Sequence, residues 1–258
     1  KRIIMIDISI AIVAYHNEID VRNAVCSIEE HTAATISKQI YIIDNSIQPN
    51  LLADLAGEFS DLIYMRTGEN LGFGGGHNYV LPNLESKFHA IVNPDIILKE
   101  DTFSILLEFM KDETIGMAVP RMVDEQGMRQ DAYRRELTVA DMGIRMFLPG
   151  CFRKRQQYHT MQEMDYTKAF EVPFAQGSFL FIRTELFCRL GGFDPRYFMY
   201  MEDADLCRRV RQEKRLVYCP DTTVIHRWEK GSHKNRKLLL CHIISMMKYF
   251  HKWGWKLW

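Results

Sequence analysis

Glu202-Asp203-Ala204-Asp205 sets three acids within four residues, directly after the aromatic run Tyr197-Phe198-Met199-Tyr200. Carboxylates gather at helix N-termini because they cap free amides and meet the positive end of the helix dipole. Three acids exceed what capping requires. One of them, against an aromatic wall, has the chemistry of a general base for a hydroxyl. Asn93-Pro94-Asp95 is a second candidate, at the end of the apolar run Phe88 to Val92. Pro94 holds Asn93 extended, which aims Asp95 out of the strand end. A carboxylate there can bind a divalent ion that neutralises a diphosphate, although the same tripeptide is also a common turn. His226 follows Thr223-Val224-Ile225 and precedes Gly231-Ser232-His233. A metal or phosphate contact is its sharper reading, and a structural histidine the plainer one.

Asn70 to Asn78 reads NLGFGGGHN, with four glycines in five positions. Such a run between a strand and a helix lets backbone amides approach an anion at the helix N-terminus. The alternative is a flexible turn. No Gly-Lys-Ser/Thr follows, so this is not a P-loop. Counted from Gly72, the last glycine of a dinucleotide fingerprint falls on His77, so it is not that motif either.

These groups need a scaffold. Ile8 to Val13, Gln39 to Ile43, Leu62 to Arg66 and Phe88 to Val92 are continuous apolar runs, as in strands buried on both faces. Helical spacing of Val21, Ala24, Val25 and Ile28, and helix-forming stretches at Leu51 to Phe59, His77 to Leu84 and Thr102 to Met110, fall between and after them. Alternation of this kind predicts βαβ units, a mainly parallel sheet and ligands beyond the C-terminal strand ends. Tyr15-His16-Asn17, Asp44-Asn45-Ser46 and Asn93-Pro94-Asp95 all lie at such ends. The second half is less regular. Met117 to Gly127 reads as strand and turn, Ser178 to Ile182 as a strand, Asp203 to Arg211 as a short helix and Arg236 to Tyr249 as a longer one. Gly143 to Gln157 mixes apolar and basic residues around Pro149-Gly150 and reads as a loop.

The 258 residues suffice for one large domain, and the formal charge of zero gives no reason to expect nucleic acid as a partner. Six scattered cysteines without a C-x-x-C pair argue against a zinc site or disulfide framework and suit a reducing compartment. No signal peptide is expected, nor any span, since no run reaches the ~18 apolar residues a bilayer requires. From Lys230 to Trp258 there are seven Lys/Arg and no acid. That tail carries Ile243, Ile244, Met246, Met247, Tyr249, Phe250, Trp253, Trp255 and Trp258. A basic, tryptophan-rich amphipathic segment suits a bilayer interface. Packing on its own domain is the plainer alternative.

Taken together, the stretches from about Ser9 to Ser232 resemble family 2 glycosyltransferases with the GT-A fold. The resemblance rests on Ala14-Tyr15-His16-Asn17, Ile43-Asp44-Asn45-Ser46, NLGFGGGHN and Asn93-Pro94-Asp95. It rests further on Gln176-Gly177-Ser178-Phe179 and the run from Gly191 to Arg209, GGFDPRYFMYMEDADLCRR. It implies an α/β fold with a single Rossmann-like, mainly parallel sheet flanked by helices over residues 1–232. Residues 233–258 would form a basic amphipathic segment that associates with a membrane. Within the family, the NLGFGGGHN and FMYMEDADLC wording is most similar to bacterial rhamnosyltransferases of O-antigen and cell-wall polysaccharide assembly. Those use dTDP-L-rhamnose and often a lipid-linked acceptor.

The resemblance also implies roles. Asp203 would be the catalytic base and Glu202 its neighbour in the acceptor pocket. Ala14, Tyr15 and Asp44 would hold the base or ribose. Asn70, Gly72, Gly74, Asn78, Asn93, Gly177 and Ser178 would line the nucleotide-sugar pocket. Asp95 would bind Mg²⁺ or Mn²⁺, reached also by His226. Asn93 stands where a full D-x-D has its first acid, which weakens the metal assignment. The expected location is cytoplasmic, peripheral on the inner face of the bacterial plasma membrane. Three other readings stay open: a nicotinamide-dependent oxidoreductase on a Rossmann sheet, a non-catalytic sugar-nucleotide binder, and a family 2 enzyme using a UDP-hexose.

Overall fold

The computed structural model describes residues 5–48, 52–148, 150–227 and 236–258. Gly231-Ser232-His233, the 232/233 boundary, Pro149 and Leu51 lie outside the described residues.

The β-branched runs form the sheet's first half. β1 (Ile6–Ala14), β2 (Lys38–Asp44), β3 (Leu62–Arg66) and β4 (Ser86–Val92) pair in parallel, in the order β3-β2-β1-β4. Ile8, Ile10, Ile12, Ile40 and Ile42 are sealed from water, as strands covered on both faces require. α1 (Glu18–His31) and α2 (Leu52–Glu58) supply crossovers, with Val21, Ala24, Val25 and Ile28 of α1 buried. The expected strands recur within a residue or two of their positions.

The second half is mixed rather than parallel. β5 (Ile96–Leu98) is followed by α4 (Thr102–Phe109) and β6 (Ile115–Val123). β10 (Phe179–Arg183) then enters between β4 and β6, antiparallel to both. β11 (Arg215–His226) runs parallel to β6 and antiparallel to β5 and β8 (Phe170–Glu171). A small two-stranded ribbon, β7 (Tyr133–Arg134) with β9 (Phe174–Ala175), stands beside this sheet. α7 (Thr184–Arg189) follows β10, and α8 (Glu202–Arg211) precedes β11.

Two local expectations change. The stretch read as a loop holds α5 (Val139–Phe147) and α6 (Arg153–His159). Thr138 caps α5, its hydroxyl accepting from the Asp141 amide. The helix read from His77 begins earlier: α3 (Gly72–Asn78) includes the glycine run and is followed by a short 3₁₀ turn, Leu81–Asn83.

The tail helix α9 (Arg236–Trp253) lies on the domain, with Tyr249 and Phe250 in the same core cluster as the sheet. Its end is fastened by two carboxylates, Asp194, which accepts from Lys252 Nζ at 2.8 Å, and Asp205. Asp205 accepts from Lys252 Nζ at 2.5 Å and Trp253 Nε1 at 2.8 Å on one oxygen, and from Arg209 Nε at 2.7 Å on the other. Beyond α9, the amides of Val139 and Ala140 donate to the carbonyls of Lys256 and Leu257. Trp255, Leu257 and Trp258 remain exposed. Among the described residues, no helix is long and apolar enough to cross a membrane.

Candidate active site

The C-terminal ends of β1, β2 and β4 open on a cavity of about 1120 Å³. Tyr15, Asn45 and Asn93 line it from those ends; Asn70, Gly72 and Phe73 from the glycine-rich segment; Phe198 and Met199 from the loop before α8. Lys237 and Leu238 at the start of α9 complete the wall. This is the position where an open α/β sheet binds ligands.

Asp95 and His226 meet inside it. Their distance in the chain is bridged by the β5–β11 ladder, in which His226 pairs with Ile96 and the Arg227 amide donates to the Asp95 carbonyl at 2.9 Å. Asp95 Oδ2 lies 3.3 Å from His226 Nε2. Gln130 fixes the imidazole. Its Nε2 donates to the His226 carbonyl at 2.8 Å, which leaves Oε1 facing His226 Nδ1, also at 2.8 Å. A carbonyl only accepts, so Nδ1 carries a hydrogen, and Nε2 is the nitrogen that faces Asp95. Asp95 Oδ1 and His226 Nε2 are both buried without a hydrogen-bond partner among the described residues. Two electron-rich atoms this close require a proton or a cation between them. The residues therefore fit a divalent ion, with Gln130 orienting the histidine as outer-shell partners do. The described residues contain no cluster of three or more His, Cys, Asp or Glu suited to a metal. Further ligands must come from phosphate oxygens or water, as is usual for Mg²⁺.

Glu202 and Asp203 start α8, and the strained residues before them aim it. Tyr200 and Met201 are both left-handed, at φ 68° and 69°. Consecutive non-glycine residues there cost on the order of 1–3 kcal/mol each, a strain that clusters at functional sites. Asp203 is half-buried and accepts from the Gly177 amide on Oδ2 (3.1 Å) and the Ala204 amide on Oδ1 (2.8 Å). Glu202 is buried and its Oε2 has no partner. Burial, and then the charge of Asp203, push the Glu202 carboxyl up to about 8. Burial also raises Asp203, opposed by its two amide bonds and by Arg134. Glu202 therefore keeps its proton near neutral pH, while the amide donors and Arg134 favour the charged form of Asp203 against its burial. Arg134, buried at the end of β7 with its Nε unpartnered, escaped the sequence reading because a lone arginine in an irregular stretch carries no spacing signal.

Several expected pocket residues lie beneath or behind the cavity. Asp44 is sealed; its oxygens accept from the Ser46 amide at 2.8 Å and the Tyr64 hydroxyl at 2.7 Å. It holds the loop that presents Asn45, which lines the cavity in its stead. Ala14 is sealed too, its carbonyl accepting from the Asn45 amide. Asn78 clamps Phe193, donating to its carbonyl at 2.7 Å and accepting from its amide at 2.8 Å. Ser178 is buried, and its carbonyl accepts from the Asn93 amide. Gly177 serves Asp203 and packs on Phe73.

Two amides of the glycine run are used within the protein: that of Gly72 donates to Asn70 Oδ1 and that of Phe73 to the Phe198 carbonyl. The glycines also serve close packing. A Cβ on Gly72, at φ +74°, would stand 2.0 Å from the Phe198 carbonyl oxygen. One on Gly74 would stand 2.9 Å from Phe193 Cβ.

A mixed sheet of this order, flanked by helices and with a cavity at the ends of β1, β2 and β4, is the GT-A fold. Residues 7–239 match the family described as "Glycosyltransferase like family 2", and the chain belongs to that family. It is 28% identical over 212 residues to the rhamnosyltransferase WbbL of Escherichia coli, covering 77% of each chain. It is 27% identical over 202 residues to the N-acetylglucosaminyl-diphospho-decaprenol L-rhamnosyltransferase of Mycobacterium tuberculosis, covering 72% of this chain and 66% of that protein. The fold matches GalNAc-T7, solved with UDP, GalNAc and Mn²⁺, at a TM-score of 0.69 and 18% identity, over 90% of this chain and 45% of that one. The chain thus spans about two thirds to three quarters of these curated relatives and under half of that solved chain.

Proposed function

We propose that this enzyme is an inverting transferase that moves L-rhamnose from dTDP-L-rhamnose to a hydroxyl of a lipid-linked saccharide, in O-antigen or cell-wall polysaccharide synthesis. The observation that carries the transfer reading is the split pair at the start of α8. Asp203 is an amide-held carboxylate, and Glu202 beside it is held protonated. Similarity to the two rhamnosyltransferases supports the rhamnosyl donor, and similarity to the mycobacterial one supports an acceptor on a diphospholipid.

In this reading Tyr15, Asn45, Asn70 and Asn93 bind and orient the nucleotide sugar. Asp203 takes the proton of the acceptor hydroxyl as its oxygen attacks the anomeric carbon. The anomeric carbon–phosphate oxygen bond breaks, and nucleoside diphosphate leaves. One displacement inverts the centre, so a β-linked donor gives an α-rhamnoside. A divalent ion, Mg²⁺ or Mn²⁺, would be held by Asp95 and His226 and would neutralise the departing diphosphate. The exposed Trp255 and Leu257, with Lys248, support contact with an anionic membrane surface, where a lysine contributes about 1 kcal/mol. On this reading the protein is peripheral on the cytoplasmic face of a bacterial plasma membrane.

A donor panel tests it. The protein, with Mg²⁺ or Mn²⁺ and a lipid-diphosphate-linked N-acetylglucosamine, is offered dTDP-rhamnose, UDP-glucose, UDP-galactose and UDP-N-acetylglucosamine. Acceptor-dependent release of dTDP alone, abolished by EDTA, is expected. Release of UDP would replace the donor with a UDP-hexose, and nucleotide binding without turnover would indicate a non-catalytic binder.

A further inference from the structure

A second cavity, of about 400 Å³, shares no lining residue with the first. It lies between the start of α5, α6 and the end of the chain. We propose that it binds a saccharide, as a glycan subsite separate from the donor cavity.

Its walls are two aromatic platforms held in place. The Arg155 guanidinium covers the Trp258 ring at 4.4 Å, and Arg135 covers Tyr158 at 3.9 Å. Both cations are themselves anchored, Arg155 by two bonds to Asp141 and Arg135 by Glu163. Each ring is therefore fixed in orientation while much of its surface stays exposed. An exposed, oriented aromatic face suits the apolar C–H face of a sugar ring.

The polar groups fit hydroxyls. His159 lines the cavity with only 6% of its surface exposed. Its Nδ1 faces Asp141 Oδ2 at 3.6 Å, so Nε2 is the acceptor, and Nε2 is buried with no partner. Burial pushes the imidazole down to about 4, which keeps it neutral. An enclosed acceptor without a partner costs on the order of 1–3 kcal/mol, relieved when a ligand hydroxyl donates to it. Lys256 on the same wall supplies a donor. An anion is matched less well, because Asp141 and Glu136 line the same space and the two arginines are already paired. Within the proposed reaction the occupant would be a glycan residue distal to the reacting sugar, a role that rests on that reading; the binding itself does not.

The test is saturation-transfer NMR on the 258-residue chain with L-rhamnose, N-acetylglucosamine and their α-linked disaccharide. The donor cavity is filled beforehand with dTDP and Mg²⁺. Transfer to at least one saccharide is expected. Apparent affinity should fall about fivefold or more in Trp258→Ala and in His159→Gln, the size of one lost contact. It should be unchanged in Asp203→Asn. Should His159→Gln fold poorly by thermal melting, Trp258→Ala carries the test, because that side chain is exposed. No signal in the wild type, undiminished signal in Trp258→Ala, loss in Asp203→Asn, or displacement of the sugar by pyrophosphate would each overturn the site. Saccharide binding that survives a failed donor assay supports the site and counts only against the transfer reading.

Discussion

Gln130 sets the orientation of His226: one amide spans the histidine's own carbonyl and its Nδ1, both at 2.8 Å, and so turns Nε2 onto Asp95. Gln130→Ala should leave the fold intact and weaken Mn²⁺ or Mg²⁺ by about 10–100-fold, the range for a lost outer-shell partner. Metal titration of turnover measures it. Asp95→Asn should lose more, because it removes the charge itself. An unchanged metal requirement in both variants would remove the cation from this pair.

Asp203→Asn should fold normally, bind nucleotide normally and lose transfer by about 10²–10⁴-fold, the usual contribution of a positioned base. The asparagine oxygen can keep one of the two amide contacts, from Ala204 or from Gly177, and the change removes the basicity. A kcat near wild type would reassign the base.

The Glu202 carboxyl titrates near 8 in the fold against 4.5 when unfolded, raised first by burial. Between those values the folded state holds a proton that the unfolded state lacks, so stability falls as pH rises toward about 8. Glu202→Gln keeps a neutral side chain at every pH. Its melting temperature should therefore decline less than that of wild type between pH 5 and about 8. Parallel pH profiles would show that Glu202 is not protonated in the folded protein.

Gly72 and Gly192 separate site from scaffold. Both have positive φ, and a Cβ would stand 2.0 Å from the Phe198 oxygen at one and 2.2 Å from Asn78 Oδ1 at the other. Each alanine variant should lose about 1–2 kcal/mol from the backbone alone, plus the clash. Phe198 lines the cavity and Asn78 does not, so Gly72→Ala should also raise the donor KM. Gly192→Ala should lower the melting temperature with KM nearly unchanged.

Asp205 is sealed between Arg209, Lys252 and Trp253. Asp205→Ala removes the carboxylate from Arg209 and Trp253, leaves Lys252 only Asp194, and should cost about 3–5 kcal/mol in urea unfolding. Release of α9 would show as a blue-to-red shift of tryptophan emission before global unfolding.

The opening half was legible because strands buried on both faces must be nearly continuous in apolar residues, and Ile8 to Val13 or Gln39 to Ile43 admit little else. Turn chemistry then marked the ends of β1, β2 and β4, where the cavity lies. Asp95 and His226 were readable as candidates, since a polar residue ending an apolar strand has few structural reasons to be there. The stretch from Gly143 to Gln157 reads as a loop because α5 and α6 are short, and Arg155 faces a tail residue, Trp258, that is remote in sequence.

Sequence alone thus determined the parallel first half of the sheet, the family and the stretches that hold the candidate site, because hydrophobic periodicity and local motifs act over a few residues. Tertiary structure decided which of those side chains face the cavity. It sealed Asp44, turned Asn78 to Phe193 and brought Gln130 to His226. The antiparallel entry of β10 and the β5–β11 ladder set those neighbours, and such pairings are fixed by the packing of the whole sheet rather than by any local run of residues.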